Sequence, residues 1–547
     1  MAGATPLRLG VESRAVGWLM LAVGAFAAGW VPPQASDGPP LDLIIRGGRL
    51  FDGSGNPWIR ADVGIRDHRI AIVGDLTGTD AEDEIDAAGL YVAPGFIDVH
   101  SHAAAGLVTE DRSDAAMLLH QGITTVVINP DGGGDTDLAA QRAGLLEYGL
   151  GVNVAQMIGH GTVRGAVLGM EDRAPTADEM ARMAMIVRRA MQGGAFGLSS
   201  GLFYTPGSYA ELDEVIELGK VVAEFGGAYG AHIRDEADYT IGVVAAVDEV
   251  IEVARQARIA GVVTHVKALG PNVWGEAETI VARVDAARGE GVEVYADQYP
   301  YEASSTGLSS ALLPRWSQAG GGDAQARRFA DRETHARIRA AMVDNMARRG
   351  GAERIQFTGG GAAMEGRTLQ SLAEQQGTDP IDVAIEIIRG GLPGSVISFN
   401  MHADDVRTLM MQPWTMTSSD GGLPPFGVGK PHPRSYGTYP RKIRKYVLEE
   451  GFVSLPAAIR SMSSLPAAAY RVADRGFIRA GAFGDIVVFD LDLITDRATY
   501  TDPHQYSEGL VHVLVNGKAA LRDGRPTGTK AGIVLRRNDP AEEQSSS

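Results

Sequence analysis

Four helix-then-strand units follow one another between residues 176 and 299. The predicted helices end near Gln192, Phe225, Gln256 and Arg288, and the apolar stretches AFGLS, AYGAHI, GVVTHV and VEVYADQY follow them in turn. Apolar strands that alternate with helices are typical of a parallel sheet with helices on its faces. Because the unit recurs so often, the pattern predicts an α/β fold whose large domain is a TIM-like (β/α)8 barrel.

Two capping boxes predict where the first two of these helices begin. Thr176 stands three residues before Glu179, and Ser208 stands three residues before Glu211. In such a box the hydroxyl and the carboxylate each accept a hydrogen bond from a backbone N–H group at the helix start. The spacing therefore predicts one helix beginning near residue 176 and another near residue 208.

Both ends of the chain carry short β-like stretches that differ from the alternating middle. LDLIIRGGRLFDG and VGIRDHRIAIVGDL lie near the beginning, and GDIVVFDLD and GLVHVLVNGK lie near the end. Strands punctuated by Gly and Asp in this way suggest a small sheet domain in which the two ends meet. We predict this domain over residues 41–95 and 466–537, a barrel over 96–465 with an insertion around 302–356, and a disordered tail over 538–547.

Residues 1–36 resemble a secretory signal peptide. Arg8 and Arg14 precede an apolar run at residues 16–28, and a stretch rich in Pro and Gly follows it. The run is short for a membrane span, so no stable span is expected after processing. These features predict a periplasmic or secreted protein. An uncleaved membrane anchor and a cytoplasmic protein with a disordered leader are the alternatives.

The composition excludes several kinds of site. A formal net charge of −18 and a pI near 5.2 argue against a nucleic-acid partner, which normally requires a basic face. The chain has no cysteine, which excludes disulfides, thiolate metal sites and a cysteine nucleophile. Any metal ion must therefore be held by His, Asp or Glu.

Four histidines and an aspartate stand at the predicted carboxyl ends of strands: His100, His102, His232, His265 and Asp420. Residues i and i+2 of a strand point to the same side, so His100 and His102 are expected to face one point. Strand ends of this kind meet at the mouth of a barrel. Neutral imidazoles and a carboxylate suit Zn²⁺ and similar divalent ions, so the pattern predicts a metal centre with one or two ions.

Longer motifs in the chain are similar to those of a known family. They are PGFIDVHSH, QGITTVV, GHGTVRG, GLSSGLFYTPGSYA, HIRDE, THVKALG, ADQYPY, SSDGG, HPRSYGTYPR and GKAALRDGRPTG. Over residues 41–537 the chain resembles the N-acyl-D-amino-acid deacylases, or D-aminoacylases, of the metal-dependent amidohydrolase superfamily. The resemblance implies a barrel joined to a composite β-sandwich built from both chain ends. It also implies a small-molecule N-acyl-D-amino acid as the substrate.

The residue that would bridge two ions departs from the family pattern. Many amidohydrolases use a carboxylated lysine there, but no lysine lies between His102 and Lys220. Deacylases of this type instead carry a cysteine shortly after the strand that corresponds to TTVV, and the residue at that position here is Asp131. A carboxylate is able to bridge two divalent ions, so Asp131 is the candidate ligand. The alternative is that NPDGGG is only a turn with a solvated Asp131.

The resemblance also implies a role for individual residues. Asp420 would act as general base and acid, moving a proton from the attacking water to the leaving amine. Arg434 and Tyr204 match family positions that bind the carboxylate of the substrate. Lys267, two residues after His265, is expected on the same strand face as a further anchor. Asp297 would orient an imidazole or be an ordinary carboxylate at a strand end.

Two other functions fit the same residues. A cyclic amidase related to dihydropyrimidinase or hydantoinase, or a dipeptidase, would use the same metal ligands. A cyclic amide, however, lacks the carboxylate that Lys267 and Arg434 would bind. A non-catalytic scaffold on the same fold is the remaining alternative, and the presence of all four histidines and Asp420 argues against it.

Overall fold

The computed structural model describes residues 40–391 and 394–537. The leader predicted at 1–36 and the tail predicted at 538–547 lie outside these residues. Within the described ranges, no helix combines the length and the apolar character that a transmembrane span requires.

The strands of the described chain are mostly short. They are β1 Leu41–Arg46, β2 Arg49–Leu50, β3 Ile59–Arg60, β4 Asp62–Arg66, β5 Arg69–Gly74, β6 Ala81–Asp86, β7 Tyr91–Pro94, β8 Phe96–Asp98, β9 Ser101–His102, β10 Ile123–Ile128, β11 Asn153–Gln156, β12 Ile158–Gly159, β13 Gly197–Gly201, β14 Ala228–His232, β15 Ala260–Val263, β16 Val294–Gln298, β17 Ser304–Gly307, β18 Ile355–Phe357, β19 Ser395–Ser398, β20 Thr415–Thr417, β21 Gly421–Gly422, β22 Ile486–Phe489, β23 Leu510–Val515, β24 Lys518–Arg522 and β25 Arg525–Pro526.

The α-helices lie mainly between these strands in the middle of the chain. They are α1 Ala104–Leu107, α2 Ala116–Leu119, α3 Leu138–Leu146, α4 His160–Leu168, α5 Ala177–Gln192, α6 Leu212–Ala223, α7 Val243–Ala257, α8 Ala277–Gly289, α9 Leu308–Leu312, α10 Gly321–Ala330, α11 Arg332–Arg348, α12 Leu369–Gln376, α13 Pro380–Arg389, α14 Ala403–Met410, α15 Arg434–Arg441, α16 Leu455–Met462 and α17 Ser464–Tyr470. A π-helix, Lys442–Glu449, continues α15.

Two parallel sheets form the centre of the fold. One has three strands in the order β11-β10-β8, and the other has six in the order β12-β13-β14-β15-β16-β20. All neighbours in both sheets run parallel, and α5 to α8 connect the strands of the larger one. The predicted α/β alternation is therefore confirmed. Within each of these sheets the carboxyl ends of the strands therefore lie along one edge.

The helix boundaries follow the local sequence, with one exception. Thr176 accepts a hydrogen bond from the backbone of Glu179, and the Glu179 carboxylate accepts one from the backbone of Thr176, as the capping box predicts. The second box does not form. Ser208 lies in a 3₁₀ turn, Gly207–Tyr209, and α6 begins at Leu212 without a side-chain cap.

Strands from both ends of the chain share one sheet. In the order β25-β24-β23-β22-β7-β2-β3, the N-terminal β7 pairs antiparallel with the C-terminal β22, with Ala93 opposite Val487. A second sheet, β5-β4-β1-β6, is built from the N-terminal part alone. The C-terminal strands begin at Ile486, after α17 and an irregular segment that follows it.

The insertion is longer than predicted. Strands β17, β19 and β18 form a separate antiparallel sheet, and helices α9 to α13 lie between β17 and β19 along the chain. The inserted unit therefore extends from Ser304 to Ser398 rather than over 302–356. The apolar run in SVISFN forms β19 of this antiparallel sheet, and such a run does not reveal from the sequence the direction of its partner strand.

The largest apolar core holds the site in place. It lies between the six-stranded sheet and its helices, where Val187, Val215, Val247 and Ile280 are fully buried. Burying such a side chain contributes about 1.5–3 kcal/mol. The loops at the carboxyl ends of the strands are therefore attached to a rigid support.

Candidate metal centre

His100 and His102 follow the first strand of the parallel sheets but do not share it. β8 ends at Asp98, His100 lies in a bend, and His102 ends β9, which pairs with β21. The expectation of one continuous strand was wrong, yet the two imidazoles converge. Their Nε2 atoms lie 3.6 Å and 3.2 Å from Oδ1 of Asp420.

Asp98 connects this bend to the loop that carries Asp420. Its carboxylate accepts hydrogen bonds from the Ser419 backbone N–H at 2.8 Å and from the Ser419 hydroxyl at 2.5 Å. Burial raises the pKa of Asp98 to about 6, although the contacts with Ser419 oppose the shift. The Asp420 backbone N–H in turn donates to the carbonyl of His100 at 2.9 Å. These bonds fix Asp420 beside the two histidines.

Asp131 lies in the middle of the four histidines. Its carboxylate oxygens are 3.3 Å from His100 Nε2, 3.4 Å from His102 Nε2, 3.6 Å from His232 Nδ1 and 3.5 Å from His265 Nε2. The residue follows β10 with φ of 56°, in the left-handed region, which turns its side chain into the cluster. Only 14% of the side chain is exposed, so Asp131 is not a solvated turn residue.

The donor atoms divide into two groups that share Asp131. The outer group contains His100, His102 and Asp420, and the inner group contains His232 and His265; within each set, Asp131 included, one donor atom per residue lies within 4.8 Å of the others. His232 ends β14 as predicted, whereas His265 lies two residues beyond β15, with φ of 36°.

The chemistry of these atoms fits a divalent ion. Both ring nitrogens of His100, both of His232 and Oδ1 of Asp131 are buried without a hydrogen bond. Buried polar atoms are normally paired, and several unpaired ones that face each other indicate a ligand site. Imidazole nitrogen and carboxylate oxygen are ligands that Zn²⁺ and related ions accept. The residues therefore suit one ion in each group, with Asp131 between them.

Asp420 is held by a buried arginine. The Arg434 guanidinium, at the start of α15, lies 2.8 Å from Oδ2 of Asp420 and stacks on the ring of Tyr299 at 4.8 Å. Burial raises the pKa of Asp420, but Arg434 and the neighbouring histidines outweigh it and keep the pKa well below its ordinary value. Asp420 is therefore a carboxylate with one oxygen directed to the outer group.

Lys267 lies in a different environment from the one predicted. It is beyond the end of β15 and only 3% exposed, and its ammonium group contacts the Glu236 carboxylate. It also lies 2.8 Å from Nδ1 of His265 and donates to the His265 carbonyl at 2.7 Å. The lysine thus faces the site, but its charge is already paired within the protein.

Glu236 is a site residue that the sequence did not reveal. Its carboxylate lies 3.1 Å from Nδ1 of His265 and 3.7 Å from Nε2 of His232, so it contacts the inner imidazoles on the nitrogens that face away from Asp131. Lys267 and the two histidines hold the pKa of Glu236 below its ordinary value against the effect of burial. Its position four residues after His232, in HIRDE, was the only available clue.

Two of the histidines have raised pKa values because carboxylates surround them. Partial removal from water lowers the pKa of His102, but its interactions with Asp131 and Asp420 outweigh this effect and raise the pKa to about 10. For His265, Glu236 and Asp131 overcome burial and the nearby Lys267, and the pKa rises to about 9. In the protein without metal, His102 and His265 therefore carry protons, and a metal ion has to displace these protons when it binds.

Tyr204 and Asp297 complete the set of predicted residues. The Tyr204 ring lies against His232 with 4.5 Å between centroids, and its hydroxyl is 3.2 Å from the Thr306 hydroxyl of the insertion. Asp297 accepts a hydrogen bond from the His265 backbone N–H at 2.8 Å. It therefore positions His265 through the main chain, not through the imidazole.

A cleft of about 680 Å³ opens onto the outer group. His102, Asp131, Asp420, Tyr204 and Arg434 all line it. A smaller recess beside it is lined by the inner histidines together with Lys267, Glu236 and Arg349. A small molecule in the cleft would therefore reach the outer group directly and the inner group only from the side.

Comparisons with known proteins agree with this geometry. Residues 83–520 match the model of a family described as the amidohydrolase family. An N-acyl-D-glutamate deacylase of Alcaligenes xylosoxydans xylosoxydans is 36% identical over 520 residues, which cover 91% of this chain and 97% of the relative. The match thus extends over most of this chain and almost all of the relative.

Two solved structures have the same overall architecture. An N-acyl-D-glutamate deacylase of Bordetella bronchiseptica, complexed with zinc and a phosphonate mimic of the tetrahedral intermediate, is 35% identical with a TM-score of 0.76. A D-aminoacylase structure described for its binuclear metal centre is 32% identical with a TM-score of 0.78. Each alignment covers 91% of this chain and 100% of the other. The α/β fold predicted from the sequence is therefore confirmed.

Proposed function

Because the chain belongs to the amidohydrolase family, we propose that it is a metal-dependent enzyme that hydrolyses the amide bond of N-acyl-D-amino acids. The products are a carboxylate and a free D-amino acid. The observation that carries the proposal is the convergence of four histidines and two aspartates, several of their donor atoms buried and unpaired, beside an open cleft that His102, Asp131 and Asp420 line. The preference for the D configuration is supported by the names of the relatives.

The finer features of the fold belong to the same proposal. The two parallel sheets would close into a single (β/α)8 barrel, and the sheets at the chain ends would form the composite β-sandwich. The common edge at which His232, His265 and Asp131 follow their strands supports this architecture, because active sites of such barrels lie at the carboxyl ends of the strands.

The centre would hold Zn²⁺, with one ion in the outer group and one in the inner group. Asp131 would bridge them in place of the cysteine found in related deacylases. The zinc in the Bordetella structure and the binuclear centre of the D-aminoacylase support this assignment. A divalent ion here would activate water for attack and polarise the scissile carbonyl.

The residues around the ions would transfer protons and bind the substrate. Asp420 accepts the proton of the attacking water and delivers it to the leaving nitrogen, for which its ionised state and its place beside the outer group suit it. Arg434 binds the carboxylate of the amino acid while it positions Asp420. Tyr204 and Lys267 line the smaller recess, where they contribute further hydrogen-bond donors, with Lys267 already paired to Glu236.

Two arginines near the inner recess, Arg349 fully buried and Arg315 partly buried, favour an acidic amino acid as the substrate. Arg349 is 1% exposed and bonds only to the Ala311 carbonyl and the Ser398 hydroxyl, while Arg315 bonds to backbone carbonyls and stacks on Phe203 at 3.9 Å. Among the described residues neither has a carboxylate partner. Burial lowers the pKa of Arg315 to about 10. A buried charge without a counterion is costly. A second carboxylate on the substrate would therefore stabilise the guanidinium groups of Arg349 and Arg315.

Export from the cytoplasm is the remaining part of the proposal. It rests on the sequence of residues 1–36 alone. Mass spectrometry of the mature N-terminus after expression in a bacterial host would test it: cleavage after the apolar run supports export, and an intact N-terminus in the cytosolic fraction contradicts it.

One substrate panel tests the activity. N-acetyl-D-glutamate, N-acetyl-D-leucine, their L counterparts and a hydantoin would be assayed side by side, with zinc content measured on the same sample. We expect hydrolysis of the D substrates, with the glutamate derivative preferred, and loss of activity after chelation. Preference for the hydantoin would favour the cyclic amidase, and failure to bind any divalent ion would favour the scaffold.

A further inference from the structure

The cleft is larger than the amino-acid half of the substrate requires. Its volume is about 680 Å³. Clefts of roughly 300–1,000 Å³ accommodate ligands of drug size, whereas an N-acetyl amino acid has only about a dozen non-hydrogen atoms. A substrate with an acetyl group would therefore leave much of the space filled with water.

Few of the residues that line this space are able to carry a charge. Among the described residues they are His102, Asp131, Asp420, His432 and Arg434. All of them belong to the metal centre or lie immediately beside it. Because Arg434 would attract the carboxylate of the amino acid, the acyl group has to extend along the uncharged part of the lining.

Much of the remaining lining is small and uncharged. Ala104, Ala105, Pro424 and Pro431 line the cleft, together with the hydroxyl groups of Thr306 and Thr358. These walls offer no partner for a second charge. They suit a chain of methylene groups, whose transfer from water is favourable in proportion to the area buried.

The rim continues the apolar surface outward. The loop between Pro424 and Pro431 carries Phe426, which is 60% exposed, and Val428, which is 61% exposed. The Phe426 ring lies 5.5 Å from His504 and 5.6 Å from Tyr506, which hold it at the rim. Exposed apolar side chains beside a cleft are typical of ligand-binding surfaces.

We propose that the physiological substrates carry an extended, uncharged aliphatic acyl group of at least about six carbons, bound along Ala104, Ala105 and the loop with Phe426 and Val428. This inference rests on the proposed function, since it places the acyl half of the same substrate. It leaves the identity of the amino acid open.

An acyl series on one D-amino acid tests the inference. The kcat/KM of the zinc-loaded enzyme would be measured for the acetyl, butyryl, hexanoyl, octanoyl and decanoyl derivatives of D-glutamate and, in parallel, D-leucine. A fully buried methylene is worth about fourfold in binding. Because the cleft is open, we expect a total rise of at least about tenfold from acetyl to octanoyl.

Flat or falling values along the series would overturn this inference while leaving the proposed function intact. Hydrolysis of none of the derivatives would overturn the proposed function, and the inference with it. The two failures are therefore distinguishable.

Rim variants test the location of the acyl group. In the double variant Phe426→Ser, Val428→Ser, the ratio of octanoyl to acetyl kcat/KM is expected to fall about three- to tenfold. The matched control is Met185→Ser in α5, which replaces another exposed apolar residue, 65% exposed, and is expected to leave the ratio unchanged. An unchanged ratio in the rim variant would show that the acyl group does not lie along this loop.

Discussion

The two groups of the metal centre differ in exposure and in what lies behind them. In the outer group, 43% of the His102 side chain is exposed although His100 is fully buried, whereas the inner histidines His232 and His265 are both nearly buried, at 5% and 2% exposed. The inner imidazoles are backed by Glu236 and Lys267, and the outer group is paired with Arg434. The outer group is thus arranged for contact with substrate and the inner group for holding an ion in place.

Asp131 is the only residue that belongs to both groups of donor atoms in the described chain, so its removal should have the largest effect. In Asp131→Ala we expect metal binding to fail in both groups and kcat/KM to fall at least about 10³-fold, beyond the roughly 10–100-fold typical of residues that only support a ligand. Metal analysis after gel filtration and steady-state kinetics would measure both effects.

Asp131→Cys is the matched control, because it restores the residue type of related deacylases. We expect this variant to retain bound zinc, since a thiolate is also a zinc ligand. Full activity with two ions in Asp131→Ala would show that the carboxylate is not shared.

Substitution of Asp420 should impair the outer group and leave the inner group able to bind an ion. In Asp420→Asn we expect kcat to fall about 10²–10⁴-fold, because the variant loses the proton acceptor beside the outer group. The inner group has none of its donor atoms altered, so at least one ion per chain should remain. A variant with near-normal kcat would exclude Asp420 as general base and acid.

Substitution of Glu236 should weaken metal binding in the inner group alone. Carboxylates that contact the far nitrogen of a metal-binding imidazole fix its orientation and tautomer, and their loss costs about 10–100-fold in metal affinity. We expect Glu236→Gln to weaken one of two zinc sites by this amount in calorimetric titrations. Glu249→Gln, which instead removes an ion pair with Arg234, is the control. Equal weakening of both sites would contradict the division into two groups.

The smallest expected effect is a change in the thermal stability of the metal-free protein with pH. The raised pKa values of His102, about 10, and His265, about 9, belong to the protein without metal. Protonation of these residues stabilises that form below the ordinary histidine pKa, and the contribution is lost as pH rises through 9 and 10. Thermal unfolding of the metal-free protein should therefore shift to lower temperature over this range.

Metal binding should show the opposite trend with pH. Zinc has to displace the histidine protons, so its apparent affinity should rise by about tenfold per pH unit for each proton released. Proton release during calorimetric titration would measure this number. Binding without release of protons would show that the histidines are not the ligands.

The convergence of the site could be predicted because parallel strands bring their ends to one edge. That principle located His232 at the end of β14 and placed His100, His102, His265 and Asp420 near it. It did not require the correct local conformation: His100 lies in a bend and His265 in a left-handed turn. Asp131 came from the family resemblance, and the structure places it at the centre.

Side-chain contacts in the loops could not be predicted. Glu236 lies in an irregular segment after β14, where neither strand nor helix periodicity gives the direction of a side chain. The pairing of Lys267 with Glu236 was missed for the same reason. The extent of the insertion was underestimated because the apolar pattern of β19 is the same in a parallel and an antiparallel sheet.

Anomalous diffraction at the zinc edge, from crystals grown with zinc, would locate the ions relative to Asp131. We expect two peaks on either side of the Asp131 carboxylate, one contacted by His100, His102 and Asp420 and the other by His232 and His265. Peaks that lie away from Asp131, or inner histidines turned away from the ion, would contradict this expectation.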